Sequence, residues 1–212
     1  MVAARVKICG INSAGAIDTA MQAGADWIGF VFFARSPRYV TPAQAATLAA
    51  RQPDGPPQVG LFVSPTAQDV ADTLATVRLD ALQIYGDVDF PSIRARFGLP
   101  LWRPVGVATA ADLPDDPRQA DMLLIEAKAP QGATRPGGNA QNFDWSILAG
   151  WTPPCPWLLA GGLTPENVAA AIHASGAAAV DVSSGVESAP GVKDPARIRA
   201  FIAAARGQGT PP

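Results

Sequence analysis

Short, mostly continuous apolar runs recur along the chain, at residues 5–9, 27–32, 58–63, 81–84, 101–105, 122–126, 157–160 and 179–182. They lack the in/out alternation of a half-exposed sheet and read as parallel strands buried on both faces. Ala-rich stretches lie between them with helical spacing of small and apolar positions. Ile17, Ala20, Met21 and Gly24 share one such face, and Val70, Leu74 and Val77 another. Four pairs, Thr41-Pro42, Ser64-Pro65, Thr164-Pro165 and Asp194-Pro195, place a capping oxygen just before a proline. Each predicts a helix starting there, because the oxygen accepts from an orphan amide and proline presets the first helical φ. The fifth unit is weakest, since Pro114 and Pro117 cut its helix short, and the helix after Phe143 is brief.

Eight strand–helix alternations leave two architectures, an open doubly wound sheet or a closed barrel. Units of similar length favour the barrel, so the expected fold class is α/β, a single (β/α)8 TIM barrel over residues 1–206. Residues 207–212 are expected to form a frayed tail. The 212 residues are few for this fold, which typically takes about 250. Segment 128–142, with three Gly and two Pro, is too long for a simple connection and reads as a lid or binding loop.

Composition narrows the function. Hydrophobic residues make up 48% and charged residues 16%, with a net charge of −2 and no basic stripe, which argues against nucleic-acid and membrane partners. The first residues lack a signal peptide's apolar run, and no apolar stretch approaches bilayer length, so cytoplasmic location is the expectation. Two cysteines, Cys9 and Cys155, and one histidine, His173, give neither a disulfide framework nor a metal site. His173 and Cys155 read as structural.

In a barrel, the C-terminal ends of the strands share one mouth. Those positions hold Cys9, Arg38, Tyr85, Glu126, Gly161-Gly162 and Asp181, followed by Ser183-Ser184-Gly185. The two small-residue turns follow the seventh and eighth strands, the usual phosphate site of this fold, where backbone amides approach an anion closely. They read equally as tight turns, but both in these places favour a phosphorylated small-molecule substrate. Cys9 reads as a small buried hydrophobe or as a reactive thiol. Arg38 is a solvated loop residue or a carboxylate clamp. Glu126 ends an apolar strand and is hard to explain without a role.

Lys7-Ile8-Cys9-Gly10-Ile11, Gly29-Phe30-Val31-Phe32 leading to Ser36-Pro37-Arg38-Tyr39, Phe143-Asp144-Trp145, Gly161 to Val168 and Val180 to Glu187 together resemble the phosphoribosylanthranilate isomerase family of tryptophan biosynthesis. The resemblance runs nearly the whole chain. It implies a cofactor-free and metal-free Amadori rearrangement of N-(5-phosphoribosyl)anthranilate to 1-(2-carboxyphenylamino)-1-deoxyribulose 5-phosphate, by a monomer or homodimer. By the same resemblance Cys9 is the general base, Glu126 the general acid, and Arg38 the partner of the anthranilate carboxylate. Asp181 lies near the substrate, and Gly161, Gly162, Ser183, Ser184 and Gly185 hold the phosphate.

Two positions depart from the family's pattern. Glu126 stands where an Asp is usual, and Tyr85 where many members carry His. The longer acid adds a methylene, and a displacement of about 1 Å can cost on the order of 10²-fold in rate. Lys7 sits two residues before Cys9, deeper in the barrel, and is not expected to lower the thiol's pKa. Two rivals stand beside the isomerase: the related histidine-pathway isomerase, which uses a carboxylate where Cys9 stands, and a non-catalytic phosphosugar binder, which has no need of a thiol.

Overall fold

The strand-forming runs close on themselves. In the computed structural model, which describes residues 3–129 and 143–207, the strands are β1 (Arg5–Cys9), β2 (Trp27–Val31), β3 (Gln58–Val63), β4 (Ala81–Tyr85), β5 (Leu101–Val107), β6 (Met122–Ala127), β7 (Trp157–Leu159) and β8 (Ala179–Val182). Each pairs in parallel with the next, and β8 returns to β1, giving a closed eight-stranded barrel. Segment 130–142 and the end of the expected tail, 208–212, lie outside the described residues, and with them nearly all of the expected lid.

Among the described residues, six α-helices cover the barrel: α1 (Ala14–Gln22), α2 (Pro42–Ala49), α3 (Ala67–Leu74), α4 (Phe90–Phe97), α5 (Val168–Ser175) and α6 (Pro195–Ala205). After β5 only a 3₁₀ turn, Ala110–Asp112, forms before the prolines, and after Phe143 another, Trp145–Leu148. These are the two units whose helices the prolines and brevity marked as weak.

Two of the four proline-linked caps behave as expected. Thr41 Oγ1 accepts from the Gln44 amide at 3.2 Å while Gln44 Oε1 accepts from the Thr41 amide at 2.8 Å, a reciprocal capping box. Asp194 Oδ1 accepts from the amides of Ala196 and Arg197 at 2.7 and 3.2 Å. The other two need correction. Helix α3 is capped by Thr66 with Asp69, because Ser64 still extends β3, its amide donating to Tyr85 O at 2.8 Å. Helix α5 starts after Asn167, because Asn167 closes a turn first: its Oδ1 accepts from the Thr164 amide at 2.7 Å and its Nδ2 donates to Gly162 O at 3.0 Å.

Strand alternation divides the core in two. Residues facing outward, such as Val6, Ile8, Phe30, Ile84, Ile125 and Val180, pack under the helices. Inside the barrel, Trp27, Val59, Ala81, Trp102, Leu124, Leu158 and Ala179 fill a floor, with Trp27 and Trp102 edge to face at 5.5 Å. Above that floor the inward positions turn polar: Lys7, Gln83, Asp181, then Cys9, Tyr85 and Glu126 toward the mouth. Among the described residues, no helix is long and apolar enough to cross a membrane.

Candidate active site

The C-terminal mouth opens into a cleft of about 690 Å³, counting the part open to solvent. All ten residues singled out from the sequence line it, namely Cys9, Arg38, Tyr85, Glu126, Gly161, Gly162, Asp181, Ser183, Ser184 and Gly185. His173 lies exposed in the last turn of α5, and Cys155 precedes β7 at the opposite end of the barrel, its thiol directed to the Pro156 carbonyl. Among the described residues, no His/Cys/Asp/Glu group is arranged to hold a metal ion.

The turns after β7 and β8 form one wall. Gly161 and Gly162 both have left-handed φ, +82° and +63°, conformations that L side chains resist. Gly185 touches the other turn backbone to backbone: a Cβ there would stand 1.8 Å from the Leu163 carbonyl oxygen. The two turns can therefore meet only through a glycine. A 3₁₀ turn, Ser184–Val186, completes this small-residue wall, which suits an anion approached by backbone amides.

Arg38 comes from the loop after β2 and is buried. Its Nε and Nη2 donate to Glu187 Oε1 and Oε2 at 2.7 and 2.9 Å. Glu187 starts a short hairpin, β9 (Glu187–Ala189) and β10 (Val192–Lys193), and also accepts from Lys193 Nζ at 2.9 Å and the Gly191 amide at 3.1 Å. Burial raises the Glu187 pKa, but its bonds to Arg38 and Lys193 outweigh this and bring it to about 2. Lys193 Nζ reaches on to Ser183 O at 2.8 Å, tying the cluster to the turn after β8. Arg38 is thus a fork already held on one edge, with part of its five-donor set left to face the cleft.

The remaining wall holds the titratable groups. Glu126 is 5% exposed at the end of β6. Burial, its largest influence, and Asp181 raise its pKa, while the nearby Tyr85 hydroxyl and the charge of Lys7 lower it; the balance lies at about 8. Burial and then Glu126 push Tyr85 well above its ordinary value, so it is a phenol, not a phenolate, at neutral pH. Burial also raises the Cys9 thiol, and Asp181 adds to this, while Lys7 and then Lys193 pull it down.

Lys7 corrects the expectation that it lies too deep to matter. Its fully buried ammonium donates to Asp181 Oδ1 at 2.8 Å and Gln83 Oε1 at 2.9 Å. A Cβ on Gly29 would meet Cys9 Sγ at 2.9 Å and Lys7 Cε at 3.3 Å, so thiol and lysine meet over the same glycine. The long side chain climbs toward the mouth because Trp102 and Trp27 occupy the floor. Sequence reasoning also passed over Gln83, Glu187 and Lys193. Lys7 and Gln83 were detectable as polar residues at inward positions of apolar strands; Lys193, on a two-residue strand, gave no such signal.

The family model for "N-(5'phosphoribosyl)anthranilate (PRA) isomerase" matches residues 6–204. The N-(5'-phosphoribosyl)anthranilate isomerase of Acidiphilium cryptum is 56% identical over 203 residues, covering 95% of this chain and 98% of that protein. The corresponding protein of Paramagnetospirillum magneticum is 54% identical over 210 residues, covering 95% and 97%. Among solved structures, phosphoribosyl anthranilate isomerase from Thermotoga maritima superposes with a TM-score of 0.82 at 34% identity, over 96% of this chain and 99% of that one. A phosphoribosyl anthranilate isomerase in complex with reduced 1-(o-carboxyphenylamino)-1-deoxyribulose 5-phosphate superposes at 0.80 with 33% identity, covering 96% and 99%.

Proposed function

The chain belongs to the N-(5'-phosphoribosyl)anthranilate isomerase family of tryptophan biosynthesis, and we propose that it performs this isomerisation with Cys9 as general base and Glu126 as general acid. The observation that carries the assignment is Glu126 itself. A carboxyl with a pKa of about 8 keeps its proton at neutral pH and can donate it. It faces the thiol across a cleft walled on one side by the small-residue turns and on another by Arg38.

The substrate phosphate sits against Gly161, Gly162, Ser183, Ser184 and Gly185, and the anthranilate carboxylate against the free edge of Arg38. Glu126 gives its proton to the furanose ring oxygen. The C1–O bond breaks, its pair stays on that oxygen, and the nitrogen lone pair forms the C1=N⁺ iminium. The Cys9 thiolate then takes the C2 proton. The C–H pair becomes the C1=C2 bond, and the iminium π pair returns to nitrogen. Loss of the enol proton and protonation at C1 give the ketose. Cys9 ends as a thiol and Glu126 as a carboxylate, and one proton passing between them through solvent restores both.

Tyr85 brings its hydroxyl to the same cleft, accepting from Gln83 Nε2 at 3.5 Å, and acts beside the longer acid without titrating itself. Lys193 and Glu187 hold Arg38 and Ser183 in place. None of these steps asks for a metal or an organic cofactor.

The test uses metal-stripped protein with freshly prepared N-(5'-phosphoribosyl)anthranilate, followed by its fluorescence, for the wild type and Glu126→Gln. The wild type turns over in chelator, and the variant loses at least about 10²-fold in kcat, the usual contribution of a general acid. Near-normal turnover by Glu126→Gln moves the proton donor elsewhere.

A further inference from the structure

Lys7 is a charged residue with no exposure at all. Burying an ammonium costs several kcal/mol, and an apolar replacement for such an ion pair is often neutral or stabilising. Stability therefore does not explain a lysine here. Its surroundings do more. Lys7 and Asp181 are register partners on β1 and β8, so their side chains rise next to each other inside the barrel. Asp181 Oδ1 takes one of the three ammonium protons at 2.8 Å and Gln83 Oε1 takes another at 2.9 Å. The Trp102 ring lies beneath, 5.9 Å from Nζ. Among the described residues no partner takes the third proton, and Cys9 Sγ and Lys7 Cε both border the space that Gly29 leaves open.

Resting on the reading of Cys9 as base, we propose that Lys7 is its positioning residue: the ammonium, fixed by Asp181 and Gln83, is the counter-cation of the Cys9 thiolate. Asp181 is the opposing half of the device. It anchors Lys7 and keeps it charged, but its own negative charge acts against the thiolate. Burial works against the charged lysine, and Asp181 and Cys9 together outweigh it, holding Lys7 above its ordinary range.

The charges facing Cys9 are few. Lys7 comes from its own strand, Asp181 from β8 and Lys193 from β10, with Tyr85 and Glu126 across the cleft; neighbouring β2 offers only Gly29 at this level. Lys193 spends its bonds on Glu187 and Ser183. Lys7 is therefore the cation whose removal changes the thiolate most, and Asp181 is the anion whose removal changes it in the opposite direction. A purely structural role for the pair predicts no such difference in sign.

The experiment is the pH dependence of iodoacetamide alkylation of Cys9 in the full-length protein without substrate. The Cys9 peptide is quantified by mass spectrometry, so that Cys155 does not interfere. Lys7→Met moves the midpoint up and slows alkylation at pH 7.5 by at least about tenfold, the effect of one pH unit. Asp181→Asn moves the midpoint down and speeds alkylation. A Lys7→Met midpoint at the wild-type position overturns the proposal, and so do shifts of both variants in the same direction, which would signify a loosened interior. If Lys7→Met does not fold, Lys7→Gln replaces it: a raised midpoint supports the proposal and a midpoint at the wild-type position overturns it. Turnover by Cys9→Ser tests the base assignment separately, because the alkylation midpoints are read without catalysis.

Discussion

Replacing Glu126 by Gln removes the acid and should make the protein more stable. The folded chain holds Glu126 protonated up to about pH 8, whereas the ordinary value is 4.5. A carboxyl raised on folding keeps a proton that the unfolded chain has released, so stability falls as pH rises from about 4.5 toward 8. Each pH unit in that window costs about 1.4 kcal/mol, which amounts to about 3 kcal/mol by pH 7. Gln carries no charge to bury. The variant should therefore exceed the wild type by about 3 kcal/mol at pH 7, or roughly 6–12 °C in Tm for a chain of this size. At pH 4.5 the advantage should largely disappear. Urea unfolding of both proteins at pH 4.5, 6 and 7.5, read by tryptophan fluorescence, gives the comparison. A variant no more stable than the wild type at pH 7.5, or one equally stabilised at every pH, would refute the argument that burial holds this carboxyl protonated.

In the wild type, the pH profile of kcat/KM should carry a break near pH 8 from the titration of Glu126, and that break must be missing from the residual activity of Glu126→Gln. Gly185→Ala puts a methyl 1.8 Å from the Leu163 carbonyl oxygen and must part the two turns, so KM for the phosphorylated substrate and the inhibition constant of inorganic phosphate should rise together, as steady-state kinetics would register. Glu187, held at about 2 by Arg38 and Lys193, contributes stability that is present above its ordinary 4.5 and lost as pH falls toward 2. Glu187→Gln should cost about 3 kcal/mol at pH 7 and flatten the acid limb of the stability curve between pH 5 and 2, measured by urea unfolding.

Much of this was legible in the chain because each signal was local. Mostly apolar runs such as 58–63 fit strands buried on both faces, and eight of them in alternation with helices leave few topologies. The mouth residues followed from one rule, that strand ends share a face, which brought Cys9, Glu126 and Asp181 together across more than 170 residues. What was missed depended on partners distant in sequence. Ser64 could not be told from a cap until Tyr85 O was seen to extend its strand. Thr164 lost the cap to Asn167 because Gly162 offered that side chain an acceptor. Lys7 was judged by its Cα, two residues below the thiol. Its four-carbon chain and the vacancy over Gly29 bring the charge upward, and neither effect is visible in strand parity.

Cys9 is the group on which the proposed isomerisation depends most directly, and the turnover of Cys9→Ser at pH 7.5 tests its role. With the serine in place, kcat should fall by at least about 10²-fold, while inorganic phosphate inhibits with its wild-type constant because the turns after β7 and β8 are untouched. A variant that keeps the wild-type kcat would contradict the assignment and leave the thiol as packing.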